Sequence, residues 1–107
     1  MNDRSNIFAN IPDNIPEELF YEILSRENLK IERIVSKGHS SADNYWYDQD
    51  HNEWVILLKG SSRLLFEGDA KVIVLNPGDY INIPSHTRHR VEWTEPDTET
   101  VWLAVHY

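Results

Sequence analysis

The stretch Gly78-Asp79-Tyr80-Ile81-Asn82-Ile83-Pro84-Ser85-His86-Thr87-Arg88-His89 decides how this chain is read. A glycine turn opens a short strand at Tyr80. Pro84 ends that strand, because proline has no amide hydrogen to give to a ladder. His89 starts the next strand five residues later. Upstream, Glu53 is followed seven residues on by Gly60, across the apolar run Trp54-Val55-Ile56-Leu57-Leu58.

On both sides of these segments, apolar residues recur at every second position from Leu29 onward. Strands are predicted at 29–36, 45–49, 54–59, 63–67, 71–75, 80–83, 88–93 and 100–106. Turn chemistry separates them at Lys37-Gly38, Lys59-Gly60, Glu67-Gly68-Asp69 and Asn76-Pro77-Gly78-Asp79. Eight short strands without intervening helices predict an all-β antiparallel sandwich or barrel. The pattern upstream is different. Asn14-Ile15-Pro16-Glu17-Glu18 reads as a helix start, with proline in the first turn and acids on the positive end of the dipole. Leu19, Phe20, Ile23 and Leu24 then fall at helical spacing and predict a short helix through Arg26. The expected organisation is one domain: an arm and short helix at 1–28, packed outside a barrel formed by 29–107.

The composition narrows the function classes. The 107 residues include no cysteine, so any metal must sit on histidine, carboxylate or amide oxygen. No apolar stretch approaches the roughly 20 residues of a membrane span, and the N-terminus lacks a signal-peptide pattern, so a cytoplasmic protein without a membrane partner is expected. Eighteen acids against ten bases give a net charge of −8, which repels a phosphate backbone, so no nucleic-acid partner is expected. No nucleophile elbow or phosphate loop is present, and Ser61 and Ser62 lack a patterned base.

The Glu53 and Gly78 segments together resemble the paired motifs of the cupin superfamily, small barrels that hold a metal with a glutamate and histidines. The usual first motif is Gly-x5-His-x-His-x3-4-Glu-x6-Gly, and the second is Gly-x5-Pro-x-Gly-x2-His-x3-Asn. Here Glu53-x6-Gly60 satisfies the end of the first, and Gly78-x5-Pro84 with His89 satisfies most of the second. With three residues before Glu53, Tyr47 and Gln49 stand at the two histidine positions; with four, Trp46 and Asp48 do. The first register is preferred, and in it His51 matches a histidine that is usually not a ligand. His86 replaces a motif glycine and Trp93 the motif asparagine. The phrases Trp46–Gln49, Glu53–Val55 and Trp102–His106 resemble a branch of small single-domain cupins, a likeness that covers nearly the whole chain. The resemblance implies an antiparallel jelly-roll (double-stranded β-helix) barrel with an internal pocket. It also implies a divalent metal (Mn, Fe, Ni or Zn) on His89, Glu53 and Gln49, with His86 and Asp48 in reserve, and Glu53 or Tyr47 handling protons.

Strand parity tests this site independently. In 88–93 the residues 89, 91 and 93 are His, Val and Trp, whereas 88, 90 and 92 are Arg, Arg and Glu, so His89 points inward. Glu53 shares a face with Val55 and Leu57, and Trp54, Ile56 and Leu58 make the opposite face apolar too. A strand apolar on both faces is covered on both, so the Trp54 face is expected to meet another element or a second copy in a homodimer. An inward glutamate beside an inward histidine admits two readings, a metal-free hydrogen-bonded pair or a metal site. His39 reads as a loop residue and His106 as a packing residue. The functional readings follow: a metal-dependent oxygenase or isomerase, a metal-free small-molecule binding or sensor module, or a structural protein with a vestigial pocket.

Overall fold

In a computed structural model, which describes residues 4–68 and 71–107, eight strands form and every pair is antiparallel. They are β1 (Leu19–Arg26), β2 (Leu29–Ser36), β3 (Glu53–Lys59), β4 (Ser62–Phe66), β5 (Ile73–Leu75), β6 (Tyr80–Ile83), β7 (His89–Thr94) and β8 (Thr100–His106). A five-stranded sheet has the order β1-β2-β8-β3-β6, and a three-stranded sheet has the order β5-β4-β7. The two enclose a core of Val55, Leu57, Leu64, Leu75, Ile83, Trp102 and Ala104. The jelly-roll expectation is met, and the predicted parity holds: Val55 and Leu57 are buried, whereas Trp54, Ile56 and Leu58 are half-buried on the other side of β3. That outer face continues onto Tyr80, 65 % exposed, whose ring lies 5.5 Å from Trp54. No helix covers it among the described residues.

The predicted N-terminal helix is not formed. Residues 19–26 are instead an edge strand paired with β2, from Leu19 opposite Val35 to Arg26 opposite Leu29. A β-bulge between Glu22 and Leu24 accounts for the misleading pattern. The extra residue at Ile23 breaks the period of two, so apolar residues fall at 19, 20, 23 and 24, as on a helix face. The aromatic and β-branched side chains here also suit a pleated surface, and the partner strand decides the outcome. Asn28 closes the β1–β2 hairpin in the left-handed region (φ 63°), which asparagine tolerates.

Ile7, Ile11 and Ile15 pack with Leu19 onto Val35 and Val101, on the outside of the five-stranded sheet. The Arg33 guanidinium pins the arm by donating to the carbonyls of Ile7 (3.2 Å) and Ala9 (2.6 Å). Two strand expectations shrink. The fifth strand begins at Ile73, and Asp69 of the predicted turn lies outside the described residues, as do residues 1–3. The expected strand at 45–49 reduces to one bridge, Tyr47 with His89. Its next residues leave the ladder, because the Gln49 carbonyl accepts from the His86 amide at 2.7 Å in the loop before β7.

Candidate functional site

A cavity of about 110 Å³ lies between the sheets. Tyr47, Gln49, Glu53 and His89, placed at the site by the sequence, all line it. Each has a reason to be there. Glu53 opens β3 opposite both Ile83 and His106, on the same face as Val55. His89 opens β7 and is 6 % exposed. Tyr47 is held against it by paired backbone bonds, Tyr47 N–H to His89 O at 2.7 Å and His89 N–H to Tyr47 O at 3.1 Å. Their rings stack at 5.6 Å, and Phe66 flanks the imidazole at 5.9 Å.

The polar geometry is unbalanced. His89 Nδ1 lies 2.8 Å from the Thr87 carbonyl, an acceptor, so Nδ1 carries the proton. In the neutral ring Nε2 is then a lone pair, and it faces Glu53 Oε1 at 3.8 Å, too far for a direct hydrogen bond. Gln49 Nε2 donates to Glu53 at 3.3 Å, while Gln49 Oε1 is buried without a partner. The amide orientation is set by the carboxylate, since turning it would place two acceptors together. Burial, reinforced by the charges of Glu18, Tyr45, Glu53 and Glu32, raises the Tyr47 phenol above its ordinary range, so it stays a neutral O–H.

The two reserve residues lie elsewhere. His86 Nδ1 pairs with Asp48 Oδ1 at 2.9 Å on the surface, with side chains 67 % and 44 % exposed, and neither lines the cavity. His86 adopts φ 60°, which explains why the related motif carries glycine at this position.

Sequence reading missed the opposite wall. Glu32, 8 % exposed, accepts from His106 Nε2 at 2.8 Å. His106 Nδ1 in turn lies 3.0 Å from His51 Nε2. His106, expected to be a packing residue, lines the cavity, and so do Glu32, Glu18 and Trp102. The signal was period two: Glu32 shares a face with Ile34, and His106 one with Trp102 and Ala104. The hydrogen bond from His106 holds the Glu32 carboxyl below its usual range against the opposing effect of burial, with Lys30 adding to the lowering. A carboxyl with a depressed folded pKa stabilises the fold above its unfolded pKa, and that contribution is lost as pH falls through the folded value. His106→Asn is therefore expected to weaken stability near neutral pH and to flatten its loss below about pH 4. Urea unfolding at several pH values checks this; identical profiles would overturn it. His39 is a loop residue as expected, with Nδ1 accepting from the Lys37 amide at 2.9 Å and Nε2 3.2 Å from the Pro16 carbonyl.

The family-implied metal can be tested against these donors. Among the described residues no group of three or more His, Asp or Glu side chains converges on one point. Of the family-implied ligands, His89 and Glu53 face each other across 3.8 Å. Gln49 turns its nitrogen toward Glu53, and a neutral phenol is a poor ligand. The set falls short of the three or more protein ligands that hold a resident transition metal.

Comparison with known proteins fits this architecture. The cupin domain family model matches residues 32–106, so the chain belongs to the cupin family. Among solved structures, it is similar to a "putative mannose-6-phosphate isomerase" of Ralstonia eutropha JMP134. The two are 46 % identical with a TM-score of 0.94, covering 98 % of this chain and 97 % of that one. A cupin superfamily protein of Desulfitobacterium hafniense DCB-2 is 18 % identical, with a TM-score of 0.77 over 99 % of this chain and 92 % of its own. A protein of Thermus thermophilus is 13 % identical, with a TM-score of 0.77 over 98 % and 96 %. These last two share the fold. No match was found among curated proteins. Among the described residues no helix is long and apolar enough to cross a membrane.

Proposed function

We propose that this cupin is a small-molecule binding protein whose barrel cavity takes one organic ligand without a resident metal. The observation that carries the reading is the cavity wall, where Gln49 Oε1 is buried without a donor and His89 Nε2 faces Glu53 across 3.8 Å. Buried acceptors left unpaired are costly, so a ligand group, or water in its absence, belongs between them. The remaining lining is mainly apolar, including Ile34, Val55, Leu64, Ile83 and Val91, which suits an organic body fixed by a few polar groups. The name of the Ralstonia relative would bring a sugar phosphate to this site. A phosphate would meet three carboxylates there and no lysine or arginine among the lining residues, so that substrate is not carried over.

The test is ligand-observed NMR against a mixed set of small fragments, wild type beside Val55→Phe. Val55 is 3 % exposed and borders the cavity, so a phenyl ring there fills it, at an overpacking cost of about 1–3 kcal/mol. Fragments should bind the wild type and lose at least tenfold in affinity in the folded variant. Ile34→Phe, at a half-buried position on the same wall, serves if Val55→Phe does not fold. A wild type that binds nothing, or variants that bind equally well, would overturn the reading.

A further inference from the structure

We infer that the ligand of this cavity is a small primary ammonium ion carrying an apolar tail. The inference rests on the binding reading above and names its chemical class. It comes from counting donors and acceptors. The wall at the start of β3 presents a carboxylate, an amide oxygen and, in the neutral ring, an imidazole lone pair, from Glu53, Gln49 and His89. An alkylammonium brings three N–H donors and no acceptor, the complement of that wall. An N–H donor needs about 2.9 Å to each acceptor, which the 3.8 Å gap between His89 Nε2 and Glu53 Oε1 accommodates from one side.

Charge points the same way. Three carboxylates border the cavity. Glu18 accepts from the neutral Ser36 hydroxyl. Glu32 has His106, with Lys30 at 3.7 Å. Glu53 has only the neutral Gln49 amide at 3.3 Å and His89 at 3.8 Å, although its side chain is 12 % exposed. Like Glu18 it has no full counter-charge, but it alone faces the Gln49 oxygen and the His89 ring across the cavity, and a buried carboxylate without a counter-charge is expensive. A cation on Glu53 removes that cost, whereas a neutral ligand leaves it and an anion adds to it.

The walls and size set the rest of the ligand. Tyr47 and Trp102 offer aromatic surface inside, and Phe20, 58 % exposed, stands at the mouth. Aromatic faces attract cations and cover alkyl chains equally well. A cavity of about 110 Å³ has room for about four groups at the ~30 Å³ that a water takes in the liquid, so a tail of three or four carbons fits and a sugar ring with a phosphate does not.

Three probes of matched length separate charge from shape: n-butylammonium, n-butanol and butyrate, titrated at pH 7 and constant ionic strength by calorimetry and competition NMR. n-Butylammonium should bind at least tenfold more tightly than n-butanol, and butyrate should not bind. Glu53→Gln keeps the shape and removes the charge, so it should abolish the preference for n-butylammonium over n-butanol. Gln49→Leu should weaken n-butylammonium more than n-butanol, and it carries the test if Glu53→Gln does not fold. If n-butanol or butyrate binds as tightly as the ammonium, the inference is overturned and the cavity remains a small-molecule site. A preference that survives both substitutions also overturns it. If none of the three probes binds and the fragment set also fails, the binding reading falls with it.

Discussion

Gly60→Ala should lower stability by about 3 kcal/mol, roughly a 10–20 °C drop in melting temperature for a domain of this size. Gly60 follows β3 with φ +88°, a conformation that side chains with a Cβ rarely adopt. A Cβ there would also collide with Thr100 Oγ1, and would stand 2.7 Å from Thr100 Cα and 2.9 Å from the Glu99 carbonyl. The hydroxyl can rotate away, but the backbone atoms belong to the start of β8, which pairs with β3 and β2, so moving them disturbs two ladders. Gly78 provides the control. Its φ is +94°, yet an added Cβ meets nothing within 4 Å, so Gly78→Ala should cost only about 1 kcal/mol. Chemical denaturation of the two variants side by side is the measurement. Equal losses would mean that conformation alone requires both glycines and that the close approach at Gly60 is irrelevant.

Trp102→Ala should cost about 4 kcal/mol, close to the whole stability of a small domain. Trp102 is 4 % exposed, sits mid-strand in β8, and pairs with Leu57 on one side and Ile34 on the other. Its indole belongs to the main core and also walls the cavity, so truncation would enlarge a space already present. Its Nε1–H donates to Ser36 Oγ at 3.3 Å, and the Ser36 hydroxyl donates to Glu18. Trp102→Phe keeps most of the volume but removes the indole donor to the Ser36 oxygen, which keeps its bond to Glu18, so about 1–2 kcal/mol is expected. The alanine variant should therefore unfold near room temperature and bind a fluorescent apolar dye. A loss under about 1.5 kcal/mol would show that the barrel collapses around the missing ring and that Trp102 does not fix the cavity wall.

Legibility in the sequence followed the range of the interactions involved. The seven strands from Leu29 onward were readable because period two is local: alternating residues face alternate sides whatever the partner strand. The same parity placed Glu53 and His89 inside the barrel. Helical spacing at Leu19–Leu24 misled because a bulge mimics it, and only pairing with β2 distinguishes the two. His86 and Asp48 were misplaced because a loop has no parity to read. They meet each other at the surface, beside the bond from the His86 amide to the Gln49 carbonyl. Glu32 and His106 went unrecognised because they lie 74 residues apart and come together through the register of β2 with β8.

Residue order alone was thus enough for the all-β architecture, the cupin likeness, and one wall of the cavity with Tyr47, Gln49, Glu53 and His89. Folding had to be seen before β1 could be known as a strand, before Glu32 and His106 could complete the opposite wall, and before the acceptors beside Glu53 could be found without donors. One cause underlies the division. Side-chain direction along a strand is a property of the local backbone. Which hydrogen-bonding groups find partners, and which stay unpaired beside a cavity, depends on strand register and sheet packing, and those exist only once the chain has folded.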